Sequence, residues 1–347
     1  MRKIIIVFML LPFMVLSVNA EELSPPTVPE GGESIFPDDP TSFSDGLKEI
    51  LQDASLYIRP SIADCLDTCV KIIAVVIMSS LFQEWSSSAK KSISVASTLS
   101  IAVLLLTPAN NLVHLGADTI SEITEYGKLL LPVMATAMAA QGAPSSSAAL
   151  YAGTACVNAI LSSIVSAVLI PMVYIYLVLG TASNAIEENL LKKTKEFVKW
   201  CLIWTLKILL YAFTGYMGIT GVITGSVDAA AIKATKITVS GAVPVVGGII
   251  SDASEAMLVS ASVLKNSAGI YGILAFVSIL IGPFIKIGVQ YLALKITGAL
   301  CNAFSAPQCT RLVQDFTSAM GLVLAMTSTV CLLQLISTVC FMRGVGI

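Results

Sequence analysis

The chain has 347 residues, of which 56% are hydrophobic, 12% are charged and one is histidine, for a formal net charge of −2 at pH 7. Soluble domains carry about 25% charged residues, so an ordinary soluble enzyme is excluded, and the lack of a basic surplus argues against a nucleic-acid partner. The composition is that of an all-α polytopic membrane protein.

Residues 1–20 read as a signal peptide. Arg2 and Lys3 precede an apolar stretch from Ile4 to Leu16, and Val18-Asn19-Ala20 loosely fits a cleavage site. An uncleaved anchor helix is the alternative, and either reading places the following residues outside the cytoplasm. Residues 21–64 form an acidic extracytoplasmic segment, because 11 of the 22 acidic residues lie between Glu21 and Asp67. Its first part holds Pro25, Pro26, Pro29, Pro37 and Pro40 and is too polar to bury much surface, which predicts disorder or loose attachment. Leu47, Ile50, Leu51, Ala54, Tyr57 and Ile58 then recur at spacings of three and four. That pattern marks an amphipathic helix on a membrane or partner, or a helical lead-in to the first span.

Residues 65–347 form the polytopic domain. Crossing the hydrocarbon core takes about 20 residues, and six stretches qualify, near 65–83, 93–110, 148–182, 200–222, 267–290 and 317–341. Lys90, Lys91, Lys192, Lys193, Lys195 and Lys199 mark cytoplasmic loops, which puts both termini outside. Residues 129–140 are short for a span and precede Gly142 and Pro144. They are read as a re-entrant half-helix, with three short crossings as the alternative. A parallel internal repeat offset by 112 residues (93–199 and 205–311) would pair Pro132 with Pro244 and Pro171 with Pro283, making a second re-entrant hairpin at Pro244.

The candidate conduit or gate residues are Pro132, Asp228, Pro244, Gly247, Gly248, Asp252, Glu255, Lys265 and Asn266. Pro and Gly at this density free backbone groups, and Asp252 and Glu255 are three apart on one helix face. The functional reading is a pore-lining hairpin with an acidic pair, and the structural one is a solvated turn. Lys286 and Lys295, with Lys71 and Lys207, fit snorkelling to the interface. Eight cysteines show no CxxC spacing, and His114 has apolar neighbours, so neither a metal nor another cofactor is expected. No nucleophile elbow, zincin or phosphate-loop motif is present, and no catalytic residue is assigned.

The block from Gly225 to Lys286 resembles the stage III sporulation protein AE family of endospore-forming bacteria. The resemblance rests on Gly225-Ser226-Val227-Asp228, Lys233-Ala234-Thr235-Lys236, Pro244-Val245-Val246-Gly247, Ser251-Asp252-Ala253, Ser260-Ala261-Ser262, Leu264-Lys265-Asn266 and Gly269. Ala229, Ala230 and Ala231, together with Lys233, depart from the family pattern. The resemblance implies a non-enzymatic membrane component of a mother-cell-to-forespore channel or secretion-like complex. Its implied partners are the other subunits of the stage III sporulation assembly and a forespore membrane partner, and its implied site is the mother-cell-derived outer forespore membrane. A stand-alone transporter and a passive membrane scaffold are the rival readings.

Overall fold

The computed structural model describes residues 25–37, 43–85, 89–141, 143–186, 188–242, 247–304 and 306–343, with backbone alone at 162, 218, 220–265 and 343. These residues are almost wholly helical, and no strand occurs among them. In chain order the helices are α1 (Glu30–Glu33), α2 (Phe43–Ala54), α3 (Ile58–Trp85), α4 (Lys90–Ala140), α5 (Pro144–Ile164), α6 (Ile170–Ile186), α7 (Asn189–Ala242), α8 (Gly247–Ala303) and α9 (Pro307–Arg343). One 3₁₀ turn, Ser55–Tyr57, joins α2 to α3, and one π turn, Val165–Leu169, joins α5 to α6. Among the described residues six helical stretches are long and apolar enough to cross a membrane; five predicted spans fall within them, and the sixth, 200–222, overlaps the stretch Asn189–Met217 and runs past its end.

Contacts along the helices fix their directions. Gly269 meets Met342, Tyr291 meets Gly321 and Gly298 meets Val313, so α8 and α9 are antiparallel. Ser94 bonds Gln308, Gly116 meets Val323 and Gly127 meets Gln334, so α4 and α9 are parallel. The chain thus runs up and down, and the turns after α3, α6 and α8 share one end. Lys90 and Lys91 open α4 at that end, and Lys192 and Lys193 lie in the first turn of α7. Helix α9 occupies the centre and packs against α4, α5, α6, α7 and α8. Its Leu312, Val313, Phe316, Ala319, Val323 and Val330 are each no more than 1% exposed.

Helix α4 corrects one expectation. The half-helix expected at 129–140 is the C-terminal end of a single 51-residue helix, with Pro108 and Pro132 inside it. A proline removes one helix hydrogen bond and crowds the preceding turn. Around Pro132 that cost is offset by packing, since Leu130, Leu131, Val133, Met134, Ala137 and Met138 are buried. Pro144 then opens α5 at the helix position that tolerates proline best. The Ser147 hydroxyl there donates 2.5 Å to the Ala135 carbonyl and closes the hairpin. The bend expected at Pro171 coincides with the π turn directly before it, a common way to relieve the proline clash. The second expected hairpin, at Pro244, lies outside the described residues, as does the stretch 1–20.

The N-terminal segment is more attached than its composition predicts. Ile35 is 2% exposed and packs with Ile50 and Leu274. The Phe36 and Tyr271 rings lie 4.6 Å apart, and Gly32 fits against Ser278 and Ile279 of α8. Helix α2 buries Gly46, Ile50 and Ala54 against α8, so Ile50 and Ala54 of the expected apolar face are covered while Leu51 and Ile58 of that face are exposed.

At 1.5 Å per residue, α4 is about 76 Å long, against about 30 Å for the hydrocarbon core. Large exposed apolar side chains concentrate within about 20 residues, one bilayer crossing, of the lysine-end turns. Val70 and Phe82 on α3, Val103 and Leu106 on α4, Val178 on α6, Trp200 on α7 and Ile296 on α8 are examples. Further along α4 come Asp118, Glu122, Glu125 and Lys128. The described bundle thus carries an apolar belt of about one bilayer's width in its lysine-end half.

Glycine permits the close approach of α5 to α7. A Cβ on Gly153 would lie 1.9 Å from the Tyr216 ring, whose hydroxyl donates 2.8 Å to the Ala149 carbonyl. Gly153→Leu is expected to lower stability in detergent by about 1–3 kcal/mol through overpacking, and Tyr216→Ala in the same chain to restore part of it. Thermal unfolding of the single and double variants checks this. A double variant no more stable than the single one would place the strain elsewhere.

Candidate functional site

Of the residues singled out from sequence, two have described side chains. Pro132 is exposed on α4 and Asn266 is exposed on α8. Asp228, Gly247, Gly248, Asp252, Glu255 and Lys265 lie on helical backbone, but their side chains, like the whole of Pro244, are outside the described residues. Polar chemistry among the described residues collects along α9 instead.

The strongest cluster surrounds Asp315, two turns into α9. Lys195 of α7 donates to both carboxylate oxygens, at 2.8 and 2.9 Å. Asn184 of α6 donates at 2.7 Å to the carboxylate and at 2.8 Å to the Gly180 carbonyl. The Tyr176 hydroxyl donates to Asp315 at 3.4 Å. Asp315 and Lys195 are 7% and 8% exposed, so this is a buried ion pair whose carboxylate has four donor contacts. Gly180 makes room for it, since a Cβ there would lie 3.1 Å from that of Asp315. Three helices, α6, α7 and α9, are tied at one carboxylate.

A second cluster lies further along α9. Gln334 donates 2.5 Å to the Asn158 side-chain oxygen of α5, and Thr154 and Ser337 share a 3.0 Å hydroxyl contact. Gly127 of α4 makes space for the Gln334 amide. Beside it is a cavity of about 10 Å³ lined by Gly127, Thr154, Phe276, Gln334, Ser337 and Phe341. The Asn158 amide nitrogen and the Tyr126 hydroxyl are buried and have no hydrogen-bond partner among the described residues. At the start of α9, Gln308 meets Ser94, and the Cys309 thiol donates 3.5 Å to Ser97, which also accepts from Ser79 of α3 at 3.0 Å. The polar side chains of α9 thus form a seam that joins it to α4, α5, α6 and α7. Lipid offers no hydrogen bonds, so the members of the seam at the lysine end, Asp315 above all, must be satisfied inside the bundle.

Lysines flagged as interruptions of apolar runs are on the outside. Lys71 pairs with Asp67 one turn away, and Lys207, Lys286 and Lys295 lie over the rings of Trp204, Tyr57 and Tyr291 at 5.6–5.8 Å. Sequence reasoning missed Asp315 because it falls just before the predicted span 317–341. It used Lys195 only as a topology marker. The available signal was composition, since Asp315 is the single acidic residue in the 37 residues of α9.

Fold and seam together define a polytopic helical membrane bundle built around one central, internally bonded helix. The chain belongs to the stage III sporulation protein AE family, whose description matches residues 41–344. It is similar to the Stage III sporulation protein AE of Bacillus subtilis (strain 168), at 20% identity over 187 residues, 54% of this chain and 47% of that protein. The chain thus spans about half the length of the curated relative it matches. No solved structure matches it.

Breaking one partner of a buried ion pair strands the other. Asp315→Asn or Lys195→Met alone is expected to lower stability by about 3 kcal/mol, whereas Lys195→Met with Asp315→Leu recovers most of the loss. Unfolding of the purified variants in detergent measures this. A double variant as unstable as either single one would show that the pair is not the source.

Proposed function

We propose that this chain is a membrane subunit of a mother-cell-to-forespore channel or secretion-like complex needed for endospore development. It resides in the mother-cell-derived outer forespore membrane, works with other subunits of the stage III assembly and a forespore membrane partner, and carries no catalytic centre of its own. Membership of the family and the six apolar helices support the sporulation and membrane parts of this reading. Gathering of Lys90, Lys91, Lys192 and Lys193 at one end supports a cytoplasmic face there, with the N-terminal segment on the other side.

The carrying observation for the conduit is the enclosure of α9. The cavity beside Gln334 holds about one water, and two larger hollows lie on the outer surface between α4 and α6 and between α3 and α8. A conduit or gate is therefore shaped between subunits, with this bundle as one rigid wall. Tyr216 sits beside Ala149 near the start of α5, and α7 continues helical to Ala242. The α7–α8 segment that carries Asp228, Gly247, Gly248, Asp252, Glu255 and Lys265 is the part offered to partners.

The test reconstitutes the purified chain in liposomes, alone and as the co-expressed assembly, and follows efflux of dyes of graded size. The expected result is tight vesicles for the chain alone and efflux for the assembly. Gradient-driven uptake of a small solute by the chain alone would support the stand-alone transporter instead.

A further inference from the structure

An outward-facing slot of about 1260 Å³ lies between α4 and α6, floored by Phe316 of α9. Its walls are almost entirely apolar, among them Leu99, Val103, Leu106, Leu177 and Val178. Val103 and Val178 are 72% and 66% exposed, so nothing among the described residues covers them. Lys91 lines one end of the slot, and Ile186 brings the close of α6 to the same end. Lys90 is adjacent to Lys91, and Lys192 and Lys193 follow Ile186 by six and seven residues. None of these four lysines belongs to an ion pair among the described residues.

We propose that this slot is a specific site for an anionic phospholipid. Its acyl chains lie along Leu99, Val103 and Val178, and its phosphate is held by Lys91 with help from Lys90. Charge and shape agree on this occupant. The slot is apolar along its length and cationic at one end, matching an amphiphile with an anionic head. From Lys91 to Leu106 is about 22 Å of helix, close to one leaflet of hydrocarbon, about 15 Å, plus a headgroup. Basic pockets between transmembrane helices hold anionic headgroups in this way, and each lysine near a membrane surface contributes about fivefold in affinity. A partner helix seated in the slot would leave Lys91 facing it without a countercharge. The site is independent of whether the complex conducts anything.

The test is native mass spectrometry of the full-length chain released from vesicles of equal phosphatidylglycerol and phosphatidylcholine. The expected result is retention of phosphatidylglycerol at least about tenfold over phosphatidylcholine. Lys90→Glu with Lys91→Glu should bring that ratio to about one, and Val103→Trp should lower retention of both lipids by filling the slot. The lysine pair is at the surface and should leave folding intact, which circular dichroism checks. Equal retention of the two lipids by the unmodified chain would overturn the proposal. So would unchanged phosphatidylglycerol retention in both variants, or disulfide-linked dimers formed through Val103→Cys in a chain lacking its own cysteines.

Discussion

An acidic side chain in the middle of an apolar bundle must be neutralised there, and Asp315 meets that constraint with Lys195, Asn184 and Tyr176. The rest of the arrangement follows from it. Helix α9 cannot face lipid on its polar side, so it sits at the centre, and helices that supply partners are drawn around it. Lys195 brings α7, Asn184 and Tyr176 bring α6, Asn158 brings α5 and Ser94 brings α4. Close approach is then set by glycine at the polar contacts, with Gly180 beside Asp315 and Gly127 beside Gln334. Polar pairing and small-residue packing act at the same positions, as expected where lipid offers no hydrophobic drive between helices.

A buried pair of this kind adds little net stability relative to an apolar replacement, but leaving either charge alone is costly. Its physical effect is to fix which helices are neighbours and in what register. That suits a subunit acting as a rigid wall, because a bundle locked through its centre transmits position to whatever binds it. Under the proposed function, the same locking leaves any passage to the contacts between subunits.

Much of the fold was legible in the sequence because hydrophobic length is a strong signal. The six spans were visible as apolar runs, and Pro171 marked the neighbourhood of the π turn at Val165–Leu169. Residues 129–140 were misread because Pro132 and the polar stretch from Asn110 to Lys128 imitate an interruption, whereas packing of Leu130, Met134 and Met138 carries the helix through. Segment 25–37 was read as loose because composition does not register that Ile35 and Phe36 find a groove on α8. Asp315 escaped because the spacing to its partners, 120 residues to Lys195 and 131 to Asn184, leaves no local pattern.

The central claim is that α9 is sealed inside one chain. Water-soluble thiol reagents applied from each side of the membrane to single cysteines at Thr310, Thr327 and Ser337, in a chain lacking its own cysteines, test it directly. All three positions are at most 5% exposed. The account predicts no labelling at any of them from either side, against ready labelling of an exposed control at Asp118. Labelling that recurs along one face of α9 would mean that the helix lines a water-filled path within the chain, which would contradict the account.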